Sequence, residues 1–421
     1  MKFLHLSDLH FGKSLHGVSL IDNKDQEYWK DRFLEKVDEL QPDAIVIAGD
    51  IYDRSAPSGE AVELLDSLLT GLEHRKIPVM MVAGNHDSGK KLAFAGDILA
   101  KQNVYIAGTL GRELSHVTIP EKDGSGEVTF WLMPYLFPAL VAEKLGDDSI
   151  GDYETAVRKL LEQQEIDFSK RNVLVAHQNI TADGKEVERG GSESAVGGVG
   201  QVDYRVFDGF DYVALGHIHS SYHVGRREVR YAGSPLCYHF DETKQPEKGP
   251  LLVEMGEKNT QISIQPQIIK PLHPMREIKG TYEELREKVE KGREKGEYLR
   301  IVVTDRRITP ERAEFLREIF RKRDSVVMEL VSECREFGAA ADVSGKYGTE
   351  EKSMEEYFAE LYRERKGGAE PAERDADLFR FAAELVQNAD MTDKSEKIRE
   401  EAMEKDADRL LDYILGQEAG K

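Results

Sequence analysis

Five short apolar runs, rich in β-branched residues, recur along the first 255 residues and predict buried strands. They cover residues 3–6, 44–48, 79–83, 173–176 and 212–215. Helical patterns over residues 26–40 and 59–74 separate the first three runs, which is typical of a layered α/β sheet. Further strand patterns follow at residues 117–119, 128–133, 222–225, 229–232, 251–254 and 262–269. Two sheets packed face to face with helices outside would accommodate all of these elements, so we predict a four-layer α-β-β-α sandwich over residues 1–270.

The pattern changes at residues 271–274, where a Pro-Leu-His-Pro segment predicts a linker. Strand patterns at residues 275–279, 298–304 and 325–330 then alternate with helix patterns at 282–291 and 310–321. This predicts a small α+β domain over residues 271–337. Residues 338–421 form a charged tail with two apolar stripes at helical spacing. Helices packed on their own domain and a segment that docks a partner protein are both consistent with this tail.

Composition excludes several classes of protein. The longest apolar run, residues 130–142, contains two prolines and is shorter than the roughly 20 residues of a membrane-spanning helix. We expect no signal peptide, and the two cysteines, Cys237 and Cys334, form neither a disulfide framework nor a thiolate metal site. A cytoplasmic protein is therefore the simplest expectation. The net charge of −21 argues against a protein that coats nucleic acid, because Lys and Arg normally neutralise phosphates.

Each of the five apolar runs leads directly into a short polar motif. In chain order the motifs are Ser7-Asp8-Leu9-His10, Gly49-Asp50-Ile51-Tyr52-Asp53, Gly84-Asn85-His86-Asp87, His177-Gln178 and Gly216-His217-Ile218-His219. Ligands of α/β proteins bind beyond the carboxyl ends of the strands, so we expect these side chains to converge. Oxygen and imidazole donors without thiolates suit Mn²⁺, Fe²⁺ or Zn²⁺ in a hydrolytic centre. Each motif alone could be an ordinary turn, but the ordered set of five predicts a metal centre.

This set of motifs resembles that of the calcineurin-like metallophosphoesterases, whose sheet sandwich holds two metal ions. Other segments make the chain similar to the nuclease subunits of bacterial SbcCD complexes, and they lie at residues 15–17, 88–92, 190–193, 209–216 and 231–236. The likeness is dense over the first domain. In the second domain the likeness is limited to the pattern of strands and helices. In the tail it is limited to the charged, amphipathic character of the segment.

The resemblance implies a ligand for every metal position. The first ion would be held by Asp8, His10, Asp50 and His219, and the second by Asp50, Asn85, His177 and His217. Two Mn²⁺ ions are expected, with Mg²⁺, Fe²⁺ or Zn²⁺ as alternatives, and Asp50 would bridge them.

Two further residues have implied catalytic roles. His86 would act as the general acid beside the leaving sugar oxygen, and Asp53 would keep His86 protonated. A histidine often occupies the position of Asp53 in archaeal and eukaryotic relatives, so that role is specific to part of the family.

The same resemblance implies the substrates and partners. Double-stranded and single-stranded DNA would be cut by a 3′–5′ exonuclease on duplex ends and an endonuclease on single strands and hairpins. Paired divalent ions add positive charge where the phosphate lies, so an acidic chain can still cut DNA. Candidate substrate contacts on loops near the motifs are His16, Lys90, Lys91 and Arg189.

The remaining parts have implied roles in assembly. The small domain would cap the active site, and the tail would dock on a coiled-coil ATPase of the SbcC type. Residues 59–74 and 91–100 would pair two copies, giving a homodimer within a heterotetramer that associates with the nucleoid when bound to DNA.

Two alternatives remain open on the sequence. A phosphomonoesterase is compatible with Arg54 after the second motif, since related phosphatases grip a terminal phosphate with such an arginine. A scaffold that has lost its metals is disfavoured, because every predicted ligand position holds a competent residue.

Overall fold

The computed structural model describes residues 1–122, 124, 126–182, 201–291, 295–333 and 362–363. Met1–Ala341 form one compact unit. Asp342–Lys421 form a second unit, of which only residues 362 and 363 are described. Apart from residues 362 and 363, the predicted partner-docking tail lies outside the described residues, as does Cys334, so the predictions about both rest on the sequence alone.

Strands and helices alternate through the first part of the chain. The strands are β1 (Lys2–Leu6), β2 (Ser14–Leu15), β3 (Val18–Ser19), β4 (Ala44–Ala48), β5 (Val79–Val82), β6 (Val104–Ala107), β7 (Ser115–Pro120), β8 (Glu127–Met133), β9 (Asn172–His177), β10 (Asn179–Thr181), β11 (Gln201–Asp203), β12 (Tyr212–Gly216), β13 (Val229–Tyr231), β14 (Leu251–Glu254), β15 (Ser263–Pro266), β16 (Met275–Gly280), β17 (Tyr298–Val303) and β18 (Val326–Ser332). The helices are α1 (Asp25–Leu40), α2 (Gly59–His74), α3 (Gly89–Leu92), α4 (Gly96–Ala100), α5 (Pro138–Leu145), α6 (Tyr153–Glu162), α7 (Tyr282–Lys291) and α8 (Pro310–Arg321). Short 3₁₀ segments span Tyr204–Phe207 and Phe240–Lys244.

Two sheets form the centre of the first domain. The first has the order β15-β14-β1-β4-β5-β6, with β1, β4, β5 and β6 parallel and β14 antiparallel to β1. The second has the order β13-β12-β9-β8-β7, with all neighbours parallel except β7 and β8. Every residue of β4, β5, β9 and β12 is buried, as expected for parallel strands that are covered on both faces.

Three apolar cores separate four layers. Between the sheets, the ring of Phe3 packs edge to face with those of Phe130 and Tyr212, at centroid distances of 5.5 and 5.6 Å. A second core lies under α1 and α2 and contains Trp29 stacked on Phe33. A third core joins the other sheet to α6. The predicted α-β-β-α sandwich is confirmed.

The small second domain contains β16, α7, β17, α8 and β18 in that order. Its three strands are parallel throughout, so it consists of two βαβ units rather than a mixed α+β arrangement. A parallel pair needs a long crossover, and the two helices supply it. Contacts to the first domain include Asp25 at the start of α1, whose carboxylate accepts hydrogen bonds from the hydroxyl of Tyr298 (2.5 Å) and from His273 Nδ1 (2.9 Å).

Within the described part of the chain, we find no helix with the length and apolar character needed to span a bilayer.

Candidate metal centre

The five polar motifs meet at one edge of the sandwich. The first two motifs run side by side, since Asp8 N donates to Gly49 O and His10 N donates to Asp50 O, both at 3.0 Å. The third motif joins them where His86 N donates to Asp50 Oδ1 at 2.9 Å. The fifth joins from the other sheet, because its His217 N donates to Asp8 Oδ1 at 3.0 Å.

One group of donors surrounds the end of β1. Asp8, His10 and His219 are buried, and one ligand atom from each lies within 4.8 Å of the others. His10 Nε2 and His219 Nε2 are 3.2 Å apart. Asp50 Oδ2 lies 3.6 Å from His10 Nε2, which brings the four predicted ligands of the first ion together.

A second group lies on the other side of Asp50. His177 Nε2 is 3.3 Å from Asp50 Oδ2 and 3.0 Å from Asn85 Oδ1. His217 Nδ1 lies 3.1 Å from the same Asn85 oxygen. The four predicted ligands of the second ion are therefore adjacent, with the Asp50 carboxylate between the two groups.

Backbone conformation marks the same residues. Asp8, His10, Asp50 and His217 have φ angles of +53°, +44°, +49° and +100°. These angles lie in the left-handed region, which is costly for side chains other than glycine and concentrates at functional sites. The turns that follow the strands thus bend the side chains of these residues back toward one another.

Two glycines allow the strand ends to approach this closely. A Cβ on Gly84 would lie 2.1 Å from Asp50 Oδ1 and 2.3 Å from its backbone nitrogen. Gly49 has φ +82°, and a Cβ there would lie 2.2 Å from His177 Nδ1. Larger residues at either position would displace a predicted metal ligand.

The ionisation of the buried donors follows from their neighbours. Burial lowers the pKa of His10 well below its usual value and raises the pKa of Asp8. Burial alone would raise the pKa of Asp50, but His177 and His86 hold it well below its usual range. Burial alone would lower the pKa of His177, but the Asp50 carboxylate raises it to about 9. Asp50 is therefore an anion that attracts positive charge into the centre.

Divalent metal ions fit this donor set. His177 Nδ1 donates to Ala48 O at 2.8 Å, so its Nε2 is the atom that faces Asp50 and Asn85. His10 Nδ1 is buried and has no hydrogen-bond partner. A cluster of carboxylate, amide and imidazole donors, with inward ring nitrogens and a central carboxylate, is the chemistry of a hydrolytic metal site rather than of a structural zinc.

His86 lies at the mouth of the centre. Its side chain is 41% exposed, and its Nε2 is 4.0 Å from Asp50 Oδ2. His86 contacts Asp53 through the main chain, because His86 Nδ1 donates to the backbone carbonyl of Asp53 at 3.0 Å. The Asp53 carboxylate is paired with Lys13 Nζ at 2.7 Å, and it lies 3.7 Å from His10 Nδ1 and from Arg54 Nε. The main chain of Asp53 therefore contacts the His86 ring, while its carboxylate pairs mainly with Lys13.

Comparisons with known proteins agree with this architecture. Residues 1–221 match the calcineurin-like phosphoesterase family, and residues 271–366 match the family described as the type 5 capsule protein repressor C-terminal domain. The D subunit of the nuclease SbcCD from Staphylococcus saprophyticus is 36% identical over 294 residues, which are 69% of this chain and 75% of that protein. The protein of the same name from Staphylococcus epidermidis is 33% identical over 310 residues, which are 72% of this chain and 79% of that protein. The chain belongs to the SbcD family of calcineurin-like phosphoesterases.

Family membership makes this chain a phosphodiester-cleaving hydrolase of the nuclease type. A crystal structure of the protein TT1561 from Thermus thermophilus aligns with a TM-score of only 0.34 at 10% identity, over 63% of this chain and 98% of that one, and adds nothing to the assignment.

The predicted substrate contacts of this SbcD-family chain are less tightly gathered than the ligands. Lys90 and Lys91 are exposed on α3, directly after the third motif, and Lys91 Nζ donates to Ser55 O at 3.1 Å. His16 is exposed in the turn between β2 and β3, where its ring lies 5.8 Å from that of Phe240. Arg189 lies outside the described residues.

Sequence reasoning missed several residues that support the ligands. The Asp87 carboxylate accepts hydrogen bonds from the backbone nitrogens of Gly84, Ile51 and Tyr52 at 2.9–3.1 Å, so it ties the second motif to the third. The position of Asp87 at the end of the third motif was the feature of the sequence that could have indicated this supporting role.

Other missed residues come from outside the motifs. The ring of Tyr238 packs against those of His10 and His219 at 5.4 and 5.6 Å. The buried carboxylate of Glu242 accepts a hydrogen bond from His219 Nδ1 at 3.0 Å. Both residues follow β13 in a segment without any recognisable motif.

Proposed function

We propose that this chain is a divalent-metal-dependent DNA nuclease that acts with a coiled-coil ATPase of the SbcC type. The observation that carries the proposal is the convergence of donors from five strand ends around the single carboxylate of Asp50. The curated relatives are named as nuclease subunits of a two-protein complex, which supports both the activity and the partner.

The metal centre of the proposal holds two ions, with Mn²⁺ as the expected metal. Asp8, His10, Asp50 and His219 would bind the first, and Asp50, Asn85, His177 and His217 the second. When bound, such ions activate water and neutralise the charge of the phosphodiester. The protein holds the donors in place through strained turns and through backbone hydrogen bonds between the motifs.

His86 is proposed to protonate the leaving sugar oxygen. The hydrogen bond from Nδ1 to the Asp53 carbonyl turns Nε2 toward the cluster, on the side that solvent reaches. A positioned histidine of this kind is a common general acid. Asp53 is therefore proposed as an orienting residue for His86, with its carboxylate engaged by Lys13.

DNA is the proposed substrate, as duplex ends for 3′–5′ exonuclease cleavage and as single strands or hairpins for endonuclease cleavage. Lys90 and Lys91, exposed beside the third motif, would meet backbone phosphates. The small domain is proposed to cap the cleft and the tail to dock on the ATPase. The complex would act in the cytoplasm, at the nucleoid when bound to DNA.

The experiment that tests this function compares two reactions of the purified chain, with and without the ATPase. End-labelled duplex DNA is incubated in Mn²⁺, Mg²⁺ or Zn²⁺, and a nitrophenyl phosphomonoester is assayed in parallel. We expect shortened DNA products in Mn²⁺ and none after chelation. Efficient hydrolysis of the monoester without any DNA cleavage would instead support the phosphomonoesterase alternative.

We also propose a homodimer formed through the region of α2, α3 and α4. Phe94, between α3 and α4, is 80% exposed, and Ile98 on α4 is 66% exposed. The two side chains are four residues apart, and apolar side chains that are exposed in a contiguous patch are typical of a surface that another protein covers. The same residues lie in one of the two segments that the sequence predicts to pair two copies.

The Phe94→Asp variant is expected to be monomeric. Each dimer would bury two copies of this ring, and their loss costs about 3 kcal/mol, or roughly a hundredfold in the dissociation constant. Sedimentation velocity over a concentration series measures the change. Phe315→Asp is the matched control, since Phe315 is a 44% exposed phenylalanine on α8. A Phe94→Asp variant that dimerises like the wild type would contradict the proposed interface.

A further inference from the structure

The imidazole of His219 is held from behind by a buried carboxylate. His219 Nδ1 lies 3.0 Å from Glu242 Oε1, and the Glu242 side chain is fully inaccessible to solvent. The other ring nitrogen, Nε2, faces His10 at 3.2 Å inside the donor cluster. Because the carboxylate accepts the Nδ1 proton, Nε2 carries the lone pair that can bind a metal.

Glu242 itself is fixed by further contacts. Its Oε2 accepts hydrogen bonds from Lys248 Nζ at 2.9 Å, from Ser234 Oγ at 3.3 Å and from Tyr238 N at 3.2 Å. The buried ammonium of Lys248 lies 2.9 Å from this oxygen, so the charges of the two buried side chains compensate each other.

Lys248 closes the network on the backbone of the same histidine. Its buried Nζ donates to His219 O at 2.7 Å and to Ser234 Oγ at 3.0 Å. Thus Glu242 holds the His219 ring and Lys248 holds the His219 main chain, while the two charges neutralise each other. The 3₁₀ segment that carries Glu242 packs against β16 of the small domain, so the network lies between that domain and the metal centre.

We propose that Glu242, held by Lys248, is a positioning residue that sets the tautomer and orientation of His219 and thereby the affinity of the first metal position. The inference rests on the proposed metal centre and adds to it a residue outside the five motifs. Outer carboxylates that orient a ligating histidine typically contribute 10–100-fold to metal affinity. The second position, which does not use His219, is expected to be unaffected.

The test is titration calorimetry of the metal-free full chain with Mn²⁺, together with thermal unfolding in chelator. The wild type should bind two ions. Glu242→Gln should retain one site of wild-type affinity, while the other weakens 10–100-fold. Glu121→Gln is the matched control, because Glu121 is a buried carboxylate paired with Arg171 at 2.9 Å outside the metal centre. It should lower stability and leave both affinities unchanged.

Glu242→Asp keeps the negative charge but shortens the reach to His219, so it should fold and still weaken one site. Two sites of wild-type affinity in either folded Glu242 variant would overturn the inference. Failure of both variants to fold would also overturn it, since the pair would then serve the fold. A wild-type chain that binds no Mn²⁺ would instead refute the proposed metal centre itself.

Discussion

Replacing Asp50 with alanine is expected to abolish metal binding at both positions and to reduce DNA cleavage by about 10³-fold or more. Loss of one preorganised charge-stabilising group typically costs 10²–10³ in rate, and Asp50 is proposed to bind both ions. Its Oδ2 lies 3.3 Å from His177 Nε2 and 3.6 Å from His10 Nε2, while Oδ1 accepts the hydrogen bond of His86 N. Removing the Asp50 carboxylate leaves the buried imidazoles without an anion to balance the positive charge of a bound metal ion.

Metal content after gel filtration in Mn²⁺ measures this effect, and nuclease assays on end-labelled duplex measure its consequence. Asp38→Ala is a suitable control, because Asp38 is an exposed carboxylate paired with Arg75. Two tightly bound ions in the Asp50 variant would show that this carboxylate does not bridge them.

The layered core and the convergence of the five polar motifs could be predicted from the sequence because both follow from local pattern. Fully buried parallel strands read as continuous apolar runs, and their carboxyl ends must meet at one edge of the sheet. A polar motif directly after such a run therefore has a predictable place. Gly84 illustrates this, since its motif requires a residue without a Cβ next to Asp50.

The contacts of Asp53 could not be predicted at atomic level. The motif places this residue near His86, but it does not say whether the carbonyl or the carboxylate makes the contact. Lys13, which follows the first motif, competes for the carboxylate at 2.7 Å. Such a choice depends on the relative position of two loops, which local sequence does not specify.

Glu242 is the larger omission. In the sequence it stands in a polar stretch with Asp241 and Thr243 and resembles an exposed turn. The 3₁₀ segment that carries Glu242 packs against β16, and the charge of this buried carboxylate is tolerated because Lys248 is buried with it. Supporting residues of this kind are defined by tertiary contacts alone.

The His86→Gln variant is expected to bind Mn²⁺ like the wild type and to cleave DNA about 10²–10⁴-fold more slowly, which is the usual contribution of general acid catalysis. Glutamine can still donate a hydrogen bond, but it cannot deliver a proton at neutral pH. His86 is not among the predicted ligands, and its half-exposed side chain lies at the mouth of the centre. Single-turnover cleavage at saturating Mn²⁺ measures the loss, with His223→Gln as a control at an exposed histidine.

A change of leaving group separates proton donation from other roles of His86. Cleavage of a nitrophenyl phosphodiester releases nitrophenolate, a stable anion that needs no proton. The loss of cleavage rate in His86→Gln should therefore nearly disappear on that substrate. An equal deficit on both substrates would assign His86 to phosphate binding or to a metal, since its Nε2 lies only 4.0 Å from Asp50 Oδ2. Cleavage of DNA at the wild-type rate would remove His86 from the reaction altogether, because a general acid cannot be replaced by an amide without cost.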